Sequence, residues 1–146
     1  MIQWNAELAR RLACAESEKR GLATLIRRFM ELGRQARDEG FQSLEPWVAR
    51  MGATDPLFAV GLRLVVEGLS GEPLEDILAT YLLAEDASGW PFLKSCVIVE
   101  GLLSLAEADD PALMARKLVA YYGADRAIAV LEELDSEEGA SGKETP

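Results

Sequence analysis

The sequence predicts an all-α fold, a compact domain of about six to seven helices with no transmembrane helix. Between Gly21 and Gly40, apolar residues recur at the i, i+3, i+4, i+7 spacing of one helix face. Two Asp-Pro pairs, at 55–56 and 110–111, are typical helix starts, because aspartate caps free N–H groups and proline suits the first helical position. No segment alternates polar and apolar residues long enough to predict a sheet.

The N-terminal part predicts two amphipathic helices, Asn5–Lys19 and a basic helix that ends at Gly40. Opposite the apolar face of the second helix lies a stripe of arginines, formed by Arg20, Arg27 and Arg34. Glu31 is placed to pair with Arg27 and Arg34 at helical spacing. We interpret the stripe as solvated surface, with a binding site as the alternative.

The remaining helices follow similar signals. Ser43 is predicted to cap a short helix, and Asp55-Pro56 opens a helix over Leu57–Leu69 that carries few charges and is predicted to be buried. The later helices begin at Pro73, cover Phe92–Ala106, run from Asp110-Pro111 to near Gly123, and cover Asp125–Leu134. Residues 1–134 are therefore predicted to form one helical domain, and residues 135–146 a mobile acidic tail.

Charge is divided unevenly along the chain. Residues 1–37 hold eight Lys/Arg against four glutamates, a net of +4, and residues 38–146 hold seven against twenty-one acids, a net of −14. The total of −10 makes nucleic-acid binding an unfavourable interpretation, because phosphate neutralisation needs a large basic surface. The basic N-terminal stretch keeps a small exception open. The charge asymmetry suits either steering of a partner or contact between the two ends of the chain.

Enzymatic and metal sites find little support. The chain has no histidine, and its two cysteines, Cys14 and Cys96, lack any CxxC or Cys/His spacing, so we expect reduced structural thiols and no metal site. No phosphate-binding glycine loop or nucleophile motif is present. Glu100 and Lys94 do not face each other at helical spacing, and either is a candidate to line a cavity or a subunit interface. The sequence predicts no catalytic residue and no cofactor.

Charge also decides the membrane question. A spanning helix needs about 20 mostly apolar residues. The most apolar candidate, Phe92–Ala106, is interrupted by Lys94 and Glu100, and each central charge costs roughly 3 kcal/mol on insertion scales. We therefore expect a soluble, cytoplasmic protein without membrane insertion.

Three short motifs occur in order: SLE at Ser43–Glu45, RLVVEG at Arg63–Gly68 and LEDIL at Leu74–Leu78. With the basic helix before them and the Asp-Pro helix between them, they resemble the cytoplasmic segment of MotA-type flagellar stator proteins. The similarity covers about residues 20–128 and is strongest over Leu32–Leu78. The stretch from Pro91 to Gly123 resembles the later membrane helices of that family, with charges added.

The resemblance implies a soluble relative of the stators. In the family, a basic and an acidic side chain of this segment face the rotor, and the matching residues here are Arg37 and Glu45, with Arg34 and Glu39 beside them. Where the family has two membrane helices before this segment, the sequence here has one charged amphipathic stretch, Met1–Lys19, so the resemblance does not imply ion conduction. The alternative is that Arg37 and Glu45 form a salt bridge with each other and only hold the helices together.

The sequence thus predicts a non-enzymatic, cytoplasmic protein-interaction domain that resembles the rotor-facing part of a MotA stator. Its expected partner is a protein, first of all a flagellar rotor or motility component. The alternative function is a helical structural or regulatory subunit that forms a homo-oligomer and is unrelated to motility. An enzyme that uses buried carboxylates is the third and weakest hypothesis.

Overall fold

The computed structural model of the chain describes residues 6–144, with side chains through Glu138. All regular structure in this part of the chain is helical, so the all-α prediction is confirmed. The α-helices are α1 (Ala6–Leu12), α2 (Gly21–Glu39), α3 (Glu45–Gly52), α4 (Pro56–Val66), α5 (Gly71–Ala84), α6 (Trp90–Ala106), α7 (Pro111–Val119) and α8 (Ala124–Glu144). Short 3-10 turns lie at Glu16–Arg20, Phe41–Leu44 and Ala120–Tyr122.

Helix α6 lies at the centre of the fold. It packs against α1, α2, α4, α5 and α7. Its apolar residues occupy every side of the helix, which is typical of a core helix rather than of a surface helix with one apolar stripe. The side chains that it buries are Phe92, Leu93, Cys96, Val97, Ile98, Val99, Leu102, Ser104 and Leu105.

Two glycines allow the helices to approach closely. Gly101 of α6 lies against the ring of Phe29, and a Cβ at this position would be 2.5 Å from ring carbons. Gly61 of α4 similarly lies against Leu102, with no room for a Cβ. Phe29 stacks on Phe58 with ring centroids 4.8 Å apart, so α2, α4 and α6 meet at one aromatic contact.

Three helix ends predicted from punctuation are observed, whereas α5, predicted to begin at Pro73, begins at Gly71. The Asp55 carboxylate accepts a hydrogen bond from the backbone N–H of Phe58 at 3.3 Å, and Asp110 accepts one from Ala112 at 2.8 Å. Both aspartates precede a proline in the first turn of a helix. Gly40 ends α2 with φ of +86°, a left-handed conformation that a side chain would disfavour.

Two predictions for the N-terminal half are wrong. The range Asn5–Lys19 is not one helix, since α1 ends at Leu12 and a 3-10 turn follows from Glu16; Asn5 itself lies outside the described residues. Ser43 does not cap α3, because the chain first forms the 3-10 turn Phe41–Leu44, where the Ser43 hydroxyl donates to the carbonyl of Gly40 at 2.6 Å. Local hydrogen bonds of this kind compete with helical capping.

Helix α8 is longer than predicted. The sequence places its end at Leu134 and a mobile tail beyond, whereas the helix continues to Glu144. The continuation carries Glu137 and Glu138, which form ion pairs with arginines of α2. The polar composition that suggests a tail therefore also fits a helix that lies on a charged surface; positions 145–146 of the predicted tail lie outside the described residues.

The described helices were compared with the length and hydropathy that a membrane-spanning helix needs. Among the helices between residues 6 and 144, none combines the length and hydropathy of a membrane-spanning segment. Helix α6, which has the most uniformly apolar surface, contains 17 residues and carries Lys94 and Glu100.

Replacing Gly101 with alanine tests the central contact. We expect G101A to lower the free energy of unfolding by about 1–3 kcal/mol, because Phe29 must move away from the new methyl group. Urea unfolding followed by circular dichroism measures the change. Gly52→Ala is the matched control, since its Cβ would meet Ala59 at 3.8 Å, an ordinary contact. Equal stability of the two variants would contradict the tight packing of α6.

Candidate functional site

An open groove with a volume of about 610 Å³ runs between α2 and α8. Arginines of α2 form one wall and glutamates of α8 form the other, above the apolar side chains of Met30 and Leu134. The lining residues are Arg27, Met30, Glu31, Arg34, Arg37, Leu134, Glu137 and Glu138. Two residues of the predicted binding surface, Arg34 and Arg37, therefore line one groove, which we call the arginine groove.

The helical period of α2 explains why these arginines share a side. Arg27 and Arg34 are seven residues apart, which is about two turns, and Arg37 follows Arg34 by almost one further turn. The opposite side of α2 is anchored by Phe29, Leu32 and other buried residues. Because that face is fixed in the core, the arginines must point outward between α2 and α8.

Glutamates of α8 bind two of the arginines. Arg27 donates hydrogen bonds to both carboxylate oxygens of Glu137, from Nε at 2.7 Å and from Nη2 at 2.9 Å, and Arg34 binds Glu138. The hydrogen bond with Glu137 raises the pKa of Arg27, and the same bond lowers the pKa of Glu137. The predicted pairing of Glu31 with Arg27 and Arg34 is wrong; Glu31 lies 4.0 Å from Arg28 instead.

Arg37 is the arginine of the groove that α8 does not pair within the described residues. Its Nε lies 3.9 Å from the Asp38 carboxylate, too far for a hydrogen bond, and 58% of its side chain is exposed. Arg37 also lines a small, mostly apolar pocket of about 90 Å³ with Ala36, Phe41 and Leu105. Arg37 therefore lies where a charged groove meets an apolar pocket.

Glu45 lies elsewhere and is already paired. Its carboxylate accepts a hydrogen bond from Nη1 of Arg63 at 2.5 Å, which links α3 to α4. The side of α2 that faces α3 is marked by Gln35, which accepts a hydrogen bond from Trp47 at 3.1 Å. Arg37 is two residues beyond Gln35, about 200° around the helix. The predicted alternative, a bond between Arg37 and Glu45, is not what the structure shows.

Glu39, the fourth predicted residue, is exposed at the last position of α2. The structure thus brings Arg34 and Arg37 together, leaves Glu39 at the end of the same helix, and separates Glu45 from them. The sequence left a contact between the two ends of the chain open but did not identify Glu137 and Glu138, because their partners are more than 100 positions away and no local pattern reports such a contact.

A second polar cluster joins α6 to α7. The Asp109 carboxylate accepts hydrogen bonds from Ser104 at 2.6 Å and from Lys117. Burial raises the pKa of Asp109, but these two hydrogen bonds outweigh it and hold the pKa below its ordinary value. The cluster ties the loop after α6 to α7 and has the arrangement of a structural brace.

Glu100 lines a neighbouring cavity of about 280 Å³ together with Glu75, Glu107 and Lys117. Burial raises the pKa of its carboxyl group. Of the two charges that the sequence proposes for a cavity or an interface, Glu100 thus lines a cavity, whereas Lys94 lies 3.4 Å from Asp55 at the start of α4.

The chemistry available to catalysis or metal binding is narrow. Cys14 and Cys96 are free thiols, and burial raises the pKa of Cys96 to about 12, so it stays protonated near neutral pH. In the described part of the chain, no group of three or more His, Cys, Asp or Glu residues is placed to hold a metal ion.

Comparison with known proteins adds no relative: no family model, curated protein or solved structure matches the chain. The resemblance to MotA-type stators therefore stays a prediction from the sequence motifs. The arginine groove and the groups around it remain as the structural basis for a function.

Glu100→Gln tests the effect of burial on the carboxylate. A raised folded-state pKa means that the charged form is penalised, so stability increases as pH falls through that pKa. We expect E100Q to be more stable than the parent by about 0.5–1 kcal/mol at pH 7, with the difference vanishing near pH 3. Urea unfolding across this pH range measures it, with the exposed Glu107→Gln as control. A destabilised E100Q at pH 7 would show that the charge is needed.

Lys117→Met tests the brace at Asp109. A lowered folded-state pKa means that the stabilisation is present above the unfolded pKa of about 4 and is lost as pH falls through the folded value. We expect the free energy of unfolding of K117M to be about 1–3 kcal/mol lower than that of the parent at pH 7. The reason is that the Asp109 carboxylate, only 15% exposed, stays charged but loses its ionic partner. The loss should shrink towards pH 2. Arg116→Met, at the exposed neighbouring position, is the control, and a pH-independent loss in K117M would contradict the ionic origin.

Proposed function

We propose that this chain is a non-enzymatic, cytoplasmic protein-interaction domain that binds a partner protein at the arginine groove, with Arg37 as its central contact. The observation that carries the proposal is the position of the Arg37 guanidinium. It is exposed, it has no hydrogen bond to another described residue, and it borders both the groove and the apolar pocket at Phe41.

Such a position suits protein recognition for a physical reason. Arginine offers five N–H donors in a planar fork and is enriched among the residues that dominate binding free energy at interfaces. An apolar pocket beside the guanidinium lets a partner side chain exclude water from the contact, which strengthens it. Arg34 lies one turn earlier in the groove, and Glu39 lies at the end of the same helix.

The motif resemblance makes a flagellar rotor or motility component the first partner to test. In the stators that this sequence resembles, the residue matching Arg37 faces the rotor. Ion conduction is not part of the proposal, because the segments that resemble the later membrane helices carry charges such as Lys94, Glu100 and Lys117. Glu45 is not part of the proposed groove contact, because it forms an ion pair with Arg63 that links α3 to α4.

We propose a non-enzymatic function because the side chains that most often carry catalysis are absent or poorly suited to it. The chain contains no histidine. The buried Cys96 has a raised pKa, as do Tyr121 and Tyr122, each mainly because of burial. Asp109 is held in a hydrogen-bonded brace and offers no free base near neutral pH.

One observation favours the alternative, a homo-oligomeric helical subunit. Val60 on α4 and Ile77 and Tyr81 on α5 are apolar and more than a third exposed, and the two helices pack against each other. Ile77 and Tyr81 are four residues apart and share one side of α5. Light scattering at micromolar concentration measures the molar mass and separates the interaction domain from the homo-oligomeric subunit. A parent chain that is a dimer, with a V60E/Y81E variant that is a monomer, would favour the subunit.

Arg37→Glu tests the proposed function. The variant should fold normally, because Arg37 makes no hydrogen bond to the described residues. Quantitative affinity capture from the source cells should recover a partner with the parent chain and at least tenfold less with R37E, a loss of about 1.4 kcal/mol or more. Arg116→Glu makes the same charge change at an exposed site outside the groove and should capture normally. Equal capture of every partner by R37E would remove the proposal.

A further inference from the structure

The inner face of α8 changes character after Leu134. Val130 and Leu134 are buried and pack into the core. The next side chains, Asp135, Ser136, Glu137 and Glu138, are all polar, and only Glu138 is half-buried. Residues 135–138 therefore have no apolar anchor and lie against α2 through polar contacts.

Those contacts are weak. The ion pairs of Glu137 with Arg27 and of Glu138 with Arg34 join side chains that are all about half exposed. Exposed ion pairs of this kind each favour the paired state by no more than about fivefold, and salt weakens them further. Residues 135–138 can therefore leave α2 without disturbing the core.

Its departure would expose a strongly basic surface. Of the α2 side chains that line the groove, three are arginines and one, Glu31, is acidic, so the α2 wall carries a net of +2 once α8 leaves. Arg34 lies about 10 Å along the helix axis from Arg27, and Arg37 about 5 Å further. Acidic side chains at i, i+7 and i+10 of a partner helix would match these three positions.

We propose that the arginine groove binds an acidic helical segment of the partner, and that the end of α8 occupies the groove as an internal competitor. The inference rests on the proposed function and specifies the chemistry of the partner. The α8 end shows that carboxylates carried by a helix fit two of the arginines, since the adjacent residues Glu137 and Glu138 reach Arg27 and Arg34. A partner helix that follows α2 needs the wider i, i+7 spacing instead. The α8 side chains through Glu138 do not pair Arg37, so a partner that reaches all three arginines gains a contact that these residues do not make.

A protein segment is favoured over nucleic acid by charge. The whole chain carries −10, with acids beside the groove on α8, and this repels a polyphosphate backbone beyond the groove itself. A short acidic helix presents its charges only where the arginines lie. If the variant E137Q/E138Q binds a single-stranded oligonucleotide more tightly than it binds an acidic peptide, the ligand is nucleic acid instead.

Peptide binding tests the competition directly. The probe is a fluorescein-labelled, alanine-rich helical peptide with glutamates at i, i+7 and i+10, and its control has glutamines there. Fluorescence anisotropy at low salt should show that E137Q/E138Q binds the probe about five- to twentyfold more tightly than the parent chain. The matched variant E132Q/D135N removes two exposed α8 charges that lie outside the groove, and should change affinity less than twofold. Adding R37E to E137Q/E138Q should lower the affinity at least fivefold.

The outcomes separate this inference from the proposed function. Unchanged probe affinity in E137Q/E138Q overturns the competition, even where R37E still loses its cellular partner. Equal binding of the glutamine peptide, or no binding of the probe to any variant, overturns the acidic chemistry. A chain that ends after Leu134 provides a second variant, because it removes the competitor without placing new side chains in the groove; it should match or exceed the affinity of E137Q/E138Q.

Discussion

The contact between Gly101 and Phe29 governs the arrangement of the other helices. Because no Cβ separates α6 from the phenylalanine ring, α2 approaches the central helix closely, and Phe29 also stacks on Phe58 of α4. This contact fixes the rotation of α2 about its own axis. With Phe29 held inward, the arginines at 27, 34 and 37 have one direction left, towards α8. The position of the candidate site is thus a consequence of core packing.

The charges of the molecule fall into two classes with different roles. Around Asp109, a carboxylate that is largely withdrawn from water is satisfied by Ser104 and Lys117, and the result is a rigid junction between α6 and α7. In the arginine groove, the pairs stay about half exposed and contribute little to folding. Electrostatic contacts that are weak within the chain remain exchangeable, which is the property that a recognition surface needs.

Features encoded by neighbouring residues were predictable from the sequence, and features that depend on distant contacts were not. The helix starts at Asp55 and Asp110 and the end of α2 at Gly40 follow from capping chemistry within a few positions. That Arg34 and Arg37 share a surface follows from helical period. The pairing of Glu45 with Arg63 and the extension of α8 beyond Leu134 depend on how helices pack, which no local pattern records.

Buried apolar side chains anchor α8 as far as Leu134 and no further among the described side chains. We therefore expect the two parts of this continuous helix to differ in local stability. Amides of the first part, anchored by Val130 and Leu134, exchange with solvent only when the core opens. Around residues 135–138 the contacts to α2 are exposed ion pairs, so we expect amide protection there to fall as ionic strength rises. Leu134 therefore separates two levels of local stability within one continuous helix.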